Sequence, residues 1–131
     1  MSMQTPLRRV LHLGAAHDGT EHFWRQRLTG AAAAILVIFF VGILMATVGQ
    51  PHGQVVGVLR QPLVGAALAL LVVVSAVHMK IGMQVVIEDY IQGSALKVAC
   101  LVANTFFAYA IVAVGLTAIV VLVLGGPPPH G

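Results

Sequence analysis

The segment "HMKIGMQVVIEDY", His78 to Tyr90, puts a histidine, a lysine, two acids and a tyrosine at the end of the apolar run "LVGAALALLVVVSAV". Ionisable groups at membrane depth are costly, roughly 2.5–3.5 kcal/mol for the charged ones at a helix centre, so their presence points to function. At about 100° per residue a helix would put Gly82 about 40° and Asp89 about 20° from His78, with about 16 Å of rise between His78 and Asp89. These three share a face. Lys80 falls on the opposite side, and Tyr90 is offset by about 120°.

Neutral imidazole is the commonest metal ligand, and haem iron takes axial histidines. The spacing therefore allows a haem in the bundle with His78 as one ligand; a second ligand must then come from another chain. A histidine hydrogen-bonded to a neighbouring helix is the structural alternative. Gly82, one turn on, leaves the space beside the imidazole free of a side chain. That suits close helix packing and a flat cofactor equally. At the "EDY" end, a phenol can donate to a carbonyl oxygen and a carboxylate can orient an arginine or pass a proton. That chemistry fits a quinone head group near the membrane surface. The plain alternative is solvated acids beside an aromatic-belt tyrosine.

The elements that carry these groups follow from composition. Of 131 residues, 59% are hydrophobic and 8% charged, with a mean hydropathy of +0.97. Soluble domains usually have about a quarter of their residues charged, so a soluble globular fold is excluded in favour of an all-α integral membrane protein. Three charge-poor stretches reach the ~20 residues needed to cross a bilayer. They give helices at about 28–48, 61–88 and 96–125, with an arm at 1–29, a three-helix membrane region at 30–126 and a tail at 127–131. The third stretch is longer than a crossing requires and would tilt or protrude.

The single cysteine, Cys100, excludes an internal disulfide and a cysteine metal cluster. The first apolar run begins too late for a cleavable signal, and the arm holds acids and little serine, unlike a transit peptide. No internal repeat is present.

Arg8, Arg9, Arg25, Arg27 and Lys97 fall on one side of a three-span arrangement and Arg60 on the other. The inside-positive bias puts the N-terminus in the cytoplasm and the C-terminus in the periplasm. Lys80 would snorkel toward the cytoplasmic surface. The loop "GQPHGQVVGVLR" is short and punctuated by Gly and Pro, and "GGPPPHG" stops the third helix. His52 and His130 read as solvent-side residues.

The arm "AHDGTEHFWRQRLTG" carries His17 and His22, which have no assigned role, and Trp24 as an interfacial anchor. Asp18 or Thr20 would cap a helix running on into the membrane. An arginine held where the apolar run begins can also bind an acidic group at the surface.

With these residues in view, the chain resembles the D-type hydrophobic membrane anchor of succinate dehydrogenase, respiratory complex II. The match is H-x3-G-x6-D-Y, carried by His78, Gly82, Asp89 and Tyr90, and the arm looks like that of alphaproteobacterial members. The resemblance covers almost the whole chain. It implies a b-type haem shared with a cytochrome b-type companion anchor, with His78 as an axial ligand of the iron, Arg27 at the propionates and Gly82 packed against the macrocycle. It implies a ubiquinone site to which Tyr90 contributes a hydrogen bond and Asp89 gives support through an arginine of the companion. Its implied partners are the companion, an iron–sulfur subunit and a flavoprotein subunit, in the bacterial cytoplasmic (inner) membrane, with several membrane passes. The chain is then non-catalytic alone. Lys80 and Glu88 lie outside the motif. The competing readings are an anchor of a quinol:fumarate reductase and a small transport or scaffold subunit.

Overall fold

A computed structural model describes residues 16–125, with side chains from residue 19 onward. Arg8, Arg9, the side chains of His17 and Asp18, the tail at 127–131 and His130 lie outside the described residues. Within them the chain is helical and holds no strand: α1 Ala16–Thr47, α2 His52–Leu59, α3 Pro62–Tyr90 and α4 Ser94–Leu124. Three of these, α1, α3 and α4, are long and apolar enough to cross a membrane.

The boundaries follow local chemistry. Helix α1 already runs at Ala16, ahead of the apolar run expected to open near residue 28, so Asp18 and Thr20 lie inside the helix and do not cap it; the arm "AHDGTEHFWRQR" holds no proline to interrupt it. It ends before Gly49, whose φ of 78° is left-handed and open to glycine at no steric cost. The Gly/Pro loop that follows is not wholly irregular. Pro51 takes the N-cap position of α2, and its carbonyl accepts from the Gln54 and Val55 amides. Pro62 opens α3 at a first-turn position, where its missing N–H costs nothing. Helix α3 continues through Asp89 to Tyr90, so both motif residues lie on regular helix. Only residues 91–93 separate it from α4.

Helix α3 is the middle of the group and packs on both α1 and α4. Against α4 the approach is close: a Cβ at Gly115 would stand 2.7 Å from Val72 Cγ1, and one at Gly65 would stand 2.6 Å from Val123 Cγ2. Small residues at such crossings let helices approach where no hydrophobic force separates helix from lipid. Polar ties hold α4 to α3 and to the end of α2. Asn104 Nδ2 donates to the Lys80 carbonyl at 2.9 Å, and Arg60 Nε donates to the Leu122 carbonyl at 3.1 Å. The second bond reaches one of the last four carbonyls of α4, which have no partner within the helix.

The interior is small. Among the described residues, Val64, Ala76, Ile81, Ile87 and Ala108 are the buried hydrophobic ones. Large side chains such as Ile35, Ile38, Met45, Phe106 and Val114 stand exposed along the helices. A 29-residue helix such as α3 rises about 43 Å, enough to cross a ~30 Å hydrocarbon core. Water would not tolerate this apolar surface, so the chain is a membrane protein.

Candidate functional site

Two helices build the surroundings of His78. Helices α1 and α3 run antiparallel, and two residues four apart on each meet in reverse order. A Cβ at Gly30 would lie 3.1 Å from His78 Cε1, and a Cβ at Gly82 would lie 3.4 Å from Gln26 Nε2. Gly30 thus makes a notch for the imidazole, and Gly82 a notch for the Gln26 amide. In this chain Gly82 is used for close helix approach.

The imidazole is held from the side as well. His78 Nδ1 lies 3.3 Å from Thr29 Oγ1. The same hydroxyl lies 2.7 Å from the Arg25 carbonyl and 3.2 Å from the Gln26 carbonyl, the back-bonding that threonine makes inside helices. Among the described residues His78 Nε2 makes no hydrogen bond, and His78 is half-buried. No group of three His, Cys, Asp or Glu side chains gathers for a metal among the described residues. Any metal at His78 therefore needs further ligands from outside them.

Arg27 flanks this interface without entering it. On the helix it lies about 60° to one side of Gly30, while Thr29 lies about 100° to the other. Its guanidinium sits 4.9 Å from the centre of the Phe23 ring, and the side chain is exposed. Neighbouring Arg25 pairs with Glu21 at 2.9 Å, both groups being largely in the open.

Lys80 points away from His78, toward α4. Its ammonium stands 5.5 Å from the centre of the Tyr109 ring, a cation–π contact that eases an isolated charge in the span. Beside it lies a cavity of about 410 Å³ whose polar lining includes His22, Arg25, Thr29, Lys80, Gln84 and Tyr109. His22 Nε2 and Gln26 Oε1 are buried without hydrogen-bond partners.

At the far end of α3, Asp89 and Tyr90 are exposed, Tyr90 by 82%. Glu88 is engaged elsewhere. Its carboxylate accepts from Gln84 Nε2 at 2.8 Å, and its carbonyl accepts from Lys97 Nζ at 3.0 Å, which ties the start of α4 to the end of α3. The structure thus gathers Thr29, Gly30 and Gln26 around His78 and Gly82, but keeps Asp89 and Tyr90 about 16 Å farther along the axis. Sequence reasoning passed over Thr29, Gly30, Gln26 and Asn104. The available signal was the Thr-Gly pair where the arm meets the apolar run, since small and hydroxyl residues favour helix interfaces in lipid.

Comparison with known proteins agrees with this architecture. Residues 1–124 match the model of the family described as succinate dehydrogenase/fumarate reductase transmembrane subunit. The chain is 30% identical over 121 residues to the succinate dehydrogenase hydrophobic membrane anchor subunit of Paracoccus denitrificans, covering 92% of this chain and 93% of that one. It is 34% identical over 97 residues to the subunit of the same name from Rickettsia bellii, covering 72% of this chain and 75% of that one. No solved structure matches.

Proposed function

The chain belongs to the succinate dehydrogenase/fumarate reductase transmembrane-subunit family, and on that premise we propose that it is the hydrophobic membrane anchor of a succinate:ubiquinone oxidoreductase. The relatives' names and the three long apolar helices support this role. The anchor docks an iron–sulfur subunit and a flavoprotein subunit at the bacterial cytoplasmic membrane, crosses it three times and pairs with a cytochrome b-type companion. Arg25, Arg27 and Lys97 near one end, against Arg60 near the other, support a cytoplasmic N-terminus and a periplasmic C-terminus. With one cysteine and no flavin motif, the chain does not itself oxidise succinate.

The observation that carries the site is His78: an imidazole on a membrane-crossing helix, engaged at Nδ1 and uncommitted at Nε2. A neutral nitrogen donor of this kind fits the iron of a b-type haem. Bound there, such a haem supplies a one-electron redox centre. His78 would ligate the iron, with the companion giving a second ligand. Arg27, exposed on the flank of α1 beside Gly30, would hold a propionate. Gly82, one turn on from His78, faces the Gln26 amide of α1, and its place against the macrocycle would rest on the family resemblance alone.

At the cytoplasmic end, Tyr90 donates its phenolic O–H to a ubiquinone carbonyl. Asp89 orients an arginine of the companion beside it. Their exposure on this chain supports a quinone pocket completed by partner subunits. The family description also names fumarate reductase, but the relatives' names favour the succinate-oxidising enzyme.

Purification of the tagged chain from membranes tests the anchor role. Two soluble partners, one bearing flavin, should co-purify with a b-type optical spectrum. Absence of the partners would defeat the reading. In the assembled complex, His78→Ala should abolish or strongly alter the haem bands; an unchanged spectrum would remove the ligand assignment.

A further inference from the structure

The hydroxyl of Thr29 has a single proton and two lone pairs. Carbonyl oxygens only accept, and the Arg25 and Gln26 carbonyls lie 2.7 and 3.2 Å from it. The shorter of these contacts commits the hydroxyl proton to the backbone of α1. What the hydroxyl has left to offer His78 Nδ1, 3.3 Å away, is a lone pair. Nδ1 must then be the protonated nitrogen, donating N–H to Oγ1. A neutral imidazole carries one N–H, so Nε2 is left with a bare lone pair. Protonating Nε2 instead would require the hydroxyl to turn from the 2.7 Å carbonyl to the more distant imidazole nitrogen.

We propose that Thr29 is a positioning residue that sets the tautomer and ring orientation of His78, so that Nε2 is the nitrogen presented to iron. This rests on the haem reading above. Gly30 completes the clamp from the Cε1 side of the ring, where a Cβ would stand 3.1 Å away. Thr29 and Gly30 are consecutive on α1, so one turn of helix grips the ring at Nδ1 and at Cε1. Metal-bound histidines generally have their second nitrogen fixed this way, and loss of the outer partner typically lowers metal affinity by roughly 10–100-fold. A threonine serves here because its hydroxyl is already satisfied by its own helix and needs no water in the span.

The test uses the complete complex carrying Thr29→Val, Thr29→Ser or His78→Ala, and the full-length chain labelled with ¹⁵N-histidine in membranes. Thr29→Ser keeps the hydroxyl and should match the parent. Thr29→Val keeps the shape and should release haem to a scavenging apoprotein roughly tenfold or more faster, with shifted low-spin EPR g-values. Parental haem retention and g-values in Thr29→Val would overturn the proposal. In the labelled chain, the signal missing from His78→Ala should carry the shifts of an Nδ1–H tautomer. An Nε2–H signal would overturn the proposal even if Thr29→Val failed to assemble. The two readings separate cleanly: if His78→Ala keeps the parental haem spectrum, the haem assignment itself is lost, whereas loss of haem in His78→Ala with no effect of Thr29→Val removes only the role of Thr29.

Discussion

Gly30 on α1 stands against the imidazole of His78 on α3, close enough that a Cβ there would be 3.1 Å from Cε1. That distance is tighter than ordinary carbon–carbon contact, and the ring is also tethered at Nδ1. Gly30→Ala should therefore displace the ring by a few tenths of an ångström, and Gly30→Leu should force the helices apart. Overpacking of this kind costs about 1–3 kcal/mol. If His78 ligates haem as proposed, thermal release of haem from the assembled complex should come earlier in Gly30→Ala and earlier still in Gly30→Leu.

Gly115 and Gly42 offer a contrast. A Cβ at Gly115 would meet Val72 Cγ1 at 2.7 Å, while one at Gly42 would meet nothing within 4 Å. Gly115→Ala should destabilise the α3–α4 pair. Gly42→Ala should be neutral or gain up to about 1 kcal/mol from helix propensity. Unfolding of the full chain in detergent micelles, followed by circular dichroism, orders the two. Equal stability would mean that the close crossing of α3 and α4 is absent from the micelle-embedded chain.

At the proposed quinone site, Tyr90→Phe removes one hydroxyl from a residue that makes no packing contact of consequence on this chain, being 82% exposed. A neutral hydrogen bond is worth about 0.5–1.5 kcal/mol, so succinate:ubiquinone reductase activity should fall by about 2–10-fold. Asp89→Asn should also lower it. Succinate oxidation with a soluble dye should be unaffected, because the proposed role leaves flavin and iron–sulfur chemistry to other subunits. Full quinone reduction at unchanged KM would reduce Tyr90 to an interfacial aromatic.

Arg60 reaches across from the end of α2 to the Leu122 carbonyl at 3.1 Å. Arg60→Ala should loosen the last turn of α4, at a cost of about 1.5–3 kcal/mol for a charge-assisted bond. Amide hydrogen exchange should rise locally at residues 121–125 and stay parental in the first turns of α4. A uniform rise along α4 would instead indicate loss of the whole helix pairing.

The orientation is checked by fusing alkaline phosphatase, active only in the periplasm, after residue 93 or after residue 125. The first fusion should be inactive and the second active. The reverse pattern would invert the charge assignment of Arg25, Arg27 and Lys97 against Arg60.

Much of the fold was legible in the sequence. The apolar runs are long and charge-poor enough to cross a membrane as helices, and the Gly/Pro loop opening at Gly49 marks the end of the first. The helical reach of α1 back to Ala16 was less visible, because the arm is polar there and hydropathy is silent on it. Helix α2 was hidden by the Gly and Pro residues around it, which read as a loop. For the candidate site, the spacing of His78, Gly82 and Asp89 put them on one face and Lys80 opposite. The contact of Lys80 with Tyr109 on α4 agrees with that geometry.

Composition and spacing alone require that this chain belongs in lipid, that its long apolar runs are helices, and that one of them carries a histidine and an acid–tyrosine pair a few turns apart. Lipid demands that backbone groups be satisfied within each segment, which leaves little choice but helix. Tertiary structure alone decided which faces meet. A helix apolar all round carries no amphipathic stripe to name its neighbour, so nothing local couples Thr29 to His78 across 49 positions. The small residues at Gly30 and Gly82 permit the approach. The antiparallel pairing of α1 with α3 then brings the Thr29 hydroxyl to the imidazole.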